Sequence, residues 1–131
     1  MQIVVLFTFL SGILFSFCLA KPAKSYTNKY DNVNIDEILN SDRLLKNYMN
    51  CLLDKGRCTP DGAELKKNLP EALEDDCSKC SEYQRNRGAK ALKYLIEHKR
   101  SYYDQLERKY DPERKYRKRY EASFKREGIN L

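Results

Sequence analysis

The sequence predicts an all-α fold: a single compact domain of about six amphipathic helices, with two local disulfides. The residues themselves carry the helices and the single domain. Apolar residues recur at three- and four-residue intervals along the chain, no segment alternates convincingly at period two, and no Gly/Ser linker or repeat divides it. Helix-starting residues recur just before these periodic stretches.

In NIDEIL, residues 34–39, Asn34 is placed to cap, Asp36 and Glu37 sit where a helix N-terminus is positive, and Ile35, Ile38 and Leu39 form one face. SDRLLKNYMNCLLDKG follows, with Leu44, Leu45, Tyr48, Met49, Leu52 and Leu53 in a wide stripe and Gly56 expected to end the helix. TPDGAELKKNLPEAL opens with Thr59 as cap and Pro60 at the first helical position, and spaces Leu65, Leu69 and Leu73 four apart. Pro70 is expected to kink or loosen it. The fourth helix, SEYQRNRGAKALKYLIEHKR, puts Tyr83, Leu92, Leu95 and Ile96 on one side; mid-helix Gly88 costs about 1 kcal/mol relative to Ala unless something packs closely there. SYYDQLERKY gives a short fifth helix with Tyr103, Leu106 and Tyr110 on one face. The last, DPERKYRKRYEASFKREG, is expected to start from Asp111 as cap with Pro112 at its first position, and sets Tyr116, Tyr120 and Phe124 four apart.

Residues 1–20, MQIVVLFTFLSGILFSFCLA, are almost continuously apolar and read as a secretory signal removed before Lys21. The run is short for a membrane span. Its removal takes four of the five Phe residues and leaves roughly 111 residues with ten Tyr, the full net charge of +6, and an interior whose hydroxyls need partners. That positive balance fits an anionic partner or, more plainly, a solvated helical surface.

Without Cys18 the thiols are Cys51, Cys58, Cys77 and Cys80, spaced C-x6-C-x18-C-x2-C. An even set in an oxidising compartment points to two disulfides, for which three connectivities exist. The x6 gap is too wide for a zinc knuckle, and Glu74, Asp75 and Asp76 would raise a redox thiol at Cys77. A long 51-to-77 bridge would stabilise by roughly 3.5 kcal/mol against about 2 to 2.5 for each short loop. The short loops instead fit local structure: Lys55-Gly56 can turn the chain, and Cys77 and Cys80 can lie one helical turn apart.

The cysteine pattern, with YTNKYDNVNIDEIL before it, CTPDGAELKK within it and KYDPERKYRKRY after it, resembles the insect chemosensory (OS-D-like) protein family over about Tyr26 to Tyr120. The resemblance implies six helices with Cys51 paired to Cys58 and Cys77 to Cys80. It also implies a secreted, soluble, non-catalytic carrier of long-chain or otherwise apolar small molecules. Carried over by position, it makes Tyr48, Gln84 and Tyr120 polar anchors of the channel. The chain departs from the family in having no Trp: Tyr102, Tyr103 and Tyr116 stand where members carry one, which implies a tunnel richer in hydroxyls.

Periodicity alone reads Leu44, Leu45, Leu65, Leu69, Leu73, Leu92 and Leu95 as solid core. The resemblance makes them, with Tyr103, the lining of a ligand channel. The expected protein is a monomeric extracellular carrier with no cofactor, no metal, no nucleic-acid partner and no stable membrane insertion. An alternative rests on the last twenty residues, where seven Lys and Arg stand against three Glu: a basic helix from about residue 112 that meets polyanions, membrane surfaces or a receptor. An enzyme is disfavoured, because His98 is the lone histidine and neither G-x-S-x-G nor H-E-x-x-H occurs.

Overall fold

The computed structural model describes residues 24–131, so the signal segment lies outside the described residues. Six helices follow one another: α1 (Ile35–Asn40), α2 (Asp42–Leu52), α3 (Pro60–Glu74), α4 (Glu82–His98), α5 (Arg100–Tyr110) and α6 (Lys115–Arg126). Among the described residues there is no strand, and no helix is long and apolar enough to cross a membrane.

Local chemistry sets most of the boundaries. Asn34 accepts from the Glu37 amide at 3.2 Å to start α1. One residue, Ser41, both ends α1 in an extended conformation and caps α2 by accepting from the Leu44 amide at 3.3 Å. The turn therefore needs no loop. Thr59 caps α3, and Ser81 and Gln84 form a reciprocal capping box on α4. Helix α3 continues through Pro70 rather than stopping there.

Three expectations are corrected. Helix α2 ends at Leu52, not at Gly56: Asp54 takes the left-handed conformation (φ 59°), which short polar side chains tolerate, and the Lys55 amide bonds back to the Asn50 carbonyl at 2.7 Å. Gly56 contributes closeness instead, since a Cβ there would stand 3.1 Å from Asn50 Cβ. Cys77 and Cys80 do not lie on a helical turn. Helix α3 has closed by Glu74, Asp76 and Cys77 are left-handed, and the Cys77 amide reaches back to the Ala72 carbonyl at 2.7 Å. The third concerns α6, which begins at Lys115, after a turn that holds Pro112. Asp111 nevertheless serves its N-terminus: the buried carboxylate accepts from the Tyr116 and Arg117 amides at 3.2 and 2.9 Å.

Both disulfides join neighbours. Cys51 and Cys58 have Cα atoms 4.8 Å apart and close the α2–α3 turn; Cys77 and Cys80, at 5.2 Å, close the α3–α4 turn.

The core is built by four helices and the tail. Leu39, Leu45, Met49, Leu95, Ile96, Tyr103 and Ile129 are its buried members, from α1, α2, α4, α5 and the segment beyond α6. Gly128 (φ 74°) and an Ile129 amide bond to the Phe124 carbonyl at 2.8 Å fold the chain back, so that Ile129 is only 1% exposed. The periodicity gave no sign of that plug. Helix α3 buries only Gly62, and α6 buries no residue.

Candidate functional site

The exclusion of α3 from the core defines the candidate site. Residues 61, 65, 69 and 73 lie four apart, so Asp61, Leu65, Leu69 and Leu73 share one stripe of α3. Leu65 is 48% exposed, Leu69 and Leu73 are half-buried, and none joins the core cluster. Polar contacts fasten the helix near its ends. The Tyr48 hydroxyl donates to Asp61 Oδ2 at 2.5 Å at the start of the stripe. At its end the Tyr120 hydroxyl donates to the Leu73 carbonyl at 2.8 Å, and Arg119 donates to the Glu74 carbonyl at 2.8 Å. Ion pairs Lys66–Asp54 and Lys79–Glu71 and the Cys51–Cys58 bridge reinforce this frame.

The contact with α2 is close at one point. A Cβ on Gly62 would meet Thr59 Oγ1 at 3.1 Å, Cys51 Sγ at 3.3 Å and Tyr48 Cδ1 at 3.6 Å, so the missing side chain lets α3 sit against the disulfide and Tyr48. Burial and then the bond to Asp61 raise the Tyr48 phenol above its ordinary value. Burial works to raise Asp61 as well, but hydrogen bonds from Thr59 and Tyr48 outweigh it and hold the carboxyl below its usual range. The latch therefore joins a phenol to a carboxylate at neutral pH.

The other predicted residues divide by position. Leu45, Leu95 and Tyr103 lie in the buried core, with Leu92 packed against it. Leu44 is half-buried on α2. The Gln84 amide oxygen accepts from the Ser81 amide at 3.0 Å and its amide nitrogen donates to the Thr27 carbonyl at 3.0 Å, so Gln84 ties the N-terminal segment to α4. Tyr83 and Arg87 hold the same segment through the Asp31 carbonyl, and Arg87 also bonds to the Val33 carbonyl.

Two further tyrosine hydroxyls find partners, whereas the buried Tyr26 hydroxyl has none among the described residues. Tyr103 donates to Glu107 at 2.8 Å, and Tyr110 to the Leu52 carbonyl at 2.7 Å. Burial and then Glu107 push the Tyr103 phenol well up. Glu107, in turn, receives Arg117 and Arg114, each at 3.2 Å, which ties α5 to α6. The sequence offered no means of pairing Asp61 with Tyr48, which follows from how α3 is placed against α2, whereas Tyr103 and Glu107 stand i, i+4 on α5 and are neighbours by helical spacing alone.

Two surface clefts stand apart from the leucine stripe. One, of about 540 Å³, lies between the 31–36 segment and Tyr83, Asn86, Arg87 and Lys90. The other, of about 380 Å³, lies between α4 and the tail, against Arg85, Lys93 and Ile129. None of the predicted ligand-binding residues lines either. Among the described residues, no group of three or more His, Cys, Asp or Glu is placed to hold a metal ion.

The helix order and paired neighbouring cysteines match a known pattern. The profile of the Insect pheromone-binding family, A10/OS-D, fits residues 26–118. The chain belongs to this family. It is 49% identical over 122 residues to Ejaculatory bulb-specific protein 3 of Drosophila melanogaster, which covers 93% of this chain and 97% of that one. Among solved structures, a chemosensory protein in complex with bromo-dodecanol superposes with a TM-score of 0.71 at 43% identity, covering 76% of this chain and 99% of that one. Antennal chemosensory protein A6 from the moth Mamestra brassicae gives 0.64 at 40% identity, covering 76% and 97%.

Proposed function

We propose that this OS-D protein is a secreted carrier of small molecules with an alkyl chain, held between the leucine stripe of α3 and the core. The first twenty residues then act as its export signal. The observation that carries the reading is that α3 keeps Leu65, Leu69 and Leu73 outside the core while polar contacts fasten its ends. A helix held by a few latches can yield a slot beneath it at the cost of those latches, without breaking the packed interior. The bromo-dodecanol complex of a similar protein supports an alkyl guest of this kind.

The dimensions suit such a guest. From Asp61 to Leu73 the helix rises about 18 Å at 1.5 Å per residue. A zigzag chain with C–C bonds of about 1.5 Å advances roughly 1.3 Å per carbon, so about 12 to 14 carbons match that run. Burying about ten methylenes at roughly 0.8 kcal/mol each gains about 8 kcal/mol gross, so micromolar affinity is the tightest that apolar burial alone supplies, before ordering costs weaken it. Reversible carriage needs no more.

Tyr48 and Tyr120 bracket the stripe and serve as its polar ends. Each hydroxyl already donates to the protein, so what it offers a guest is a lone pair, which suits a ligand O–H. Gln84 contributes by fastening the N-terminal segment against α4. The test is displacement of an environment-sensitive fluorophore from the purified protein by alcohols of 6 to 20 carbons. An affinity optimum at about 12 to 14 carbons is expected. Affinity that rises without limit with chain length, or no displacement, would overturn the reading.

A further inference from the structure

The outer face of α6 carries a charge pattern that carriage of an apolar guest does not require. At 100° per residue, Lys115, Lys118, Arg119, Ala122, Lys125 and Arg126 fall on one face of the helix, and all six are exposed. Tyr116, Tyr120 and Phe124 fall on the other and are half-buried. The outer face thus holds five cations and one small apolar residue along roughly 16 Å. Glu121 flanks it and pairs with Lys125 at 3.6 Å, and Arg119 donates to the Glu74 carbonyl. Lys115, Lys118 and Arg126 have no carboxylate within ion-pair distance among the described residues.

At its N-terminal end this arrangement works against the helix, whereas Lys125 and Arg126 in the last turn suit the negative C-terminal end. The N-terminal end of α6 carries partial positive charge, yet its first turn has no acid and holds Lys115, Arg117 and Lys118. Helices α1 to α4 each place Asp or Glu in that position, while α5, like α6, has none there. Asp111 offsets part of the cost through the Tyr116 and Arg117 amides. Local rules broken at some cost to stability mark surfaces kept for another purpose.

We infer that the outer face of α6 is a docking surface for a linear sulfated polysaccharide. A narrow stripe of cations matches a chain of anions better than a flat surface does. The face offers no Leu, Ile, Phe or Trp to enter a bilayer, because the aromatic side of α6 faces the protein. Bases have no platform either: the Tyr116 ring is covered by Lys115 and Arg119, with charge-to-centroid distances of 5.9 and 5.5 Å. Two disulfides place the protein in an oxidising compartment, where sulfated chains rather than nucleic acids are the abundant polyanions. Of this face, Arg119 alone is shared with the frame of α3, through the Glu74 carbonyl, and the four cations chosen for the test below take no part in that frame.

The experiment is elution from immobilised heparin with a salt gradient, together with affinity measured across salt concentrations. Neutralising Lys115, Lys118, Lys125 and Arg126 to Gln is compared with neutralising Lys29, Arg43, Lys46 and Lys67, four exposed cations outside α6. Both variants lose the same net charge. The α6 variant should lose at least tenfold in affinity at about 0.15 M salt, and the slope of log affinity against log salt should fall by about three, as four lost ionic contacts predict. The control variant should change less than about twofold. Circular dichroism and alcohol affinity should be unchanged in both, so failure here is separable from failure of the carrier reading. Equal losses in the two variants, or none in the α6 variant, would overturn the inference. So would tighter binding to duplex DNA or to phosphatidylserine vesicles than to heparin.

Discussion

Truncating Leu69 should separate ligand contact from core packing. Leu69 is half-buried on α3 and outside the core cluster, whereas Leu45 is 4% exposed within it. Leu45→Ala deletes three carbons from a packed interior and should cost about 3 kcal/mol or more. Leu69→Ala removes the same atoms from a half-buried position outside the core, and should cost about 1 kcal/mol. If an alkyl guest lies against the stripe, the same truncation removes apolar contact worth about 1.4 kcal/mol, which is a tenfold rise in Kd. Urea titration gives the first quantity and fluorophore displacement by dodecanol the second. A Leu69→Ala protein that loses as much stability as Leu45→Ala while binding dodecanol normally would refute the reasoning.

Other positions make separate tests. Gly88→Ala should raise stability by about 1 kcal/mol in urea titration, because the residue is exposed within α4 and a Cβ would meet nothing within 4 Å; a loss would mean that the close-packing reason for Gly88 was right after all. Asp111→Ala should cost about 2 kcal/mol by freeing two α6 amides, with faster hydrogen exchange at Tyr116 and Arg117 as the local signature. Acid should loosen α3. Asp61 is held below its usual range, and hydrogen bonds from Lys109 and Lys66 lower Asp54 to about 2. Groups with depressed folded values stabilise above the unfolded value near 4 and lose that contribution as pH falls toward about 2. Melting temperature should therefore decline below about pH 4, and the decline should be smaller in Asp61→Asn; an identical acid slope in the variant would remove Asp61 from the account.

The helices were legible because their signals are local. Asn34, Thr59 and the spacing of Leu65, Leu69 and Leu73 each act within one or two turns, and the structure uses them as read. The misplaced features lie where two local rules compete. Gly56 looked like the stop for α2, but Asp54 could also turn left-handed and came first. Asp111-Pro112 looked like a helix start, yet Asp111 reaches past an intervening turn to the amides of residues 116 and 117. The site was legible only in part, because its defining property is tertiary. Nothing in the repeat of leucines distinguishes Leu45, which is buried, from Leu65, which is not. The return of Ile129 into the core, likewise, depends on a single glycine turn beyond the last periodic stretch.

Isotope-filtered nuclear Overhauser spectroscopy on the labelled protein with unlabelled dodecanol tests the position of the guest most directly. The account predicts cross-peaks from the alkyl chain to the methyl groups of Leu65, Leu69 and Leu73, with the carbinol protons near the ring of Tyr48 or Tyr120. Cross-peaks confined to Val33 and Ile35 would place the guest in the cleft beside Arg87 and contradict it.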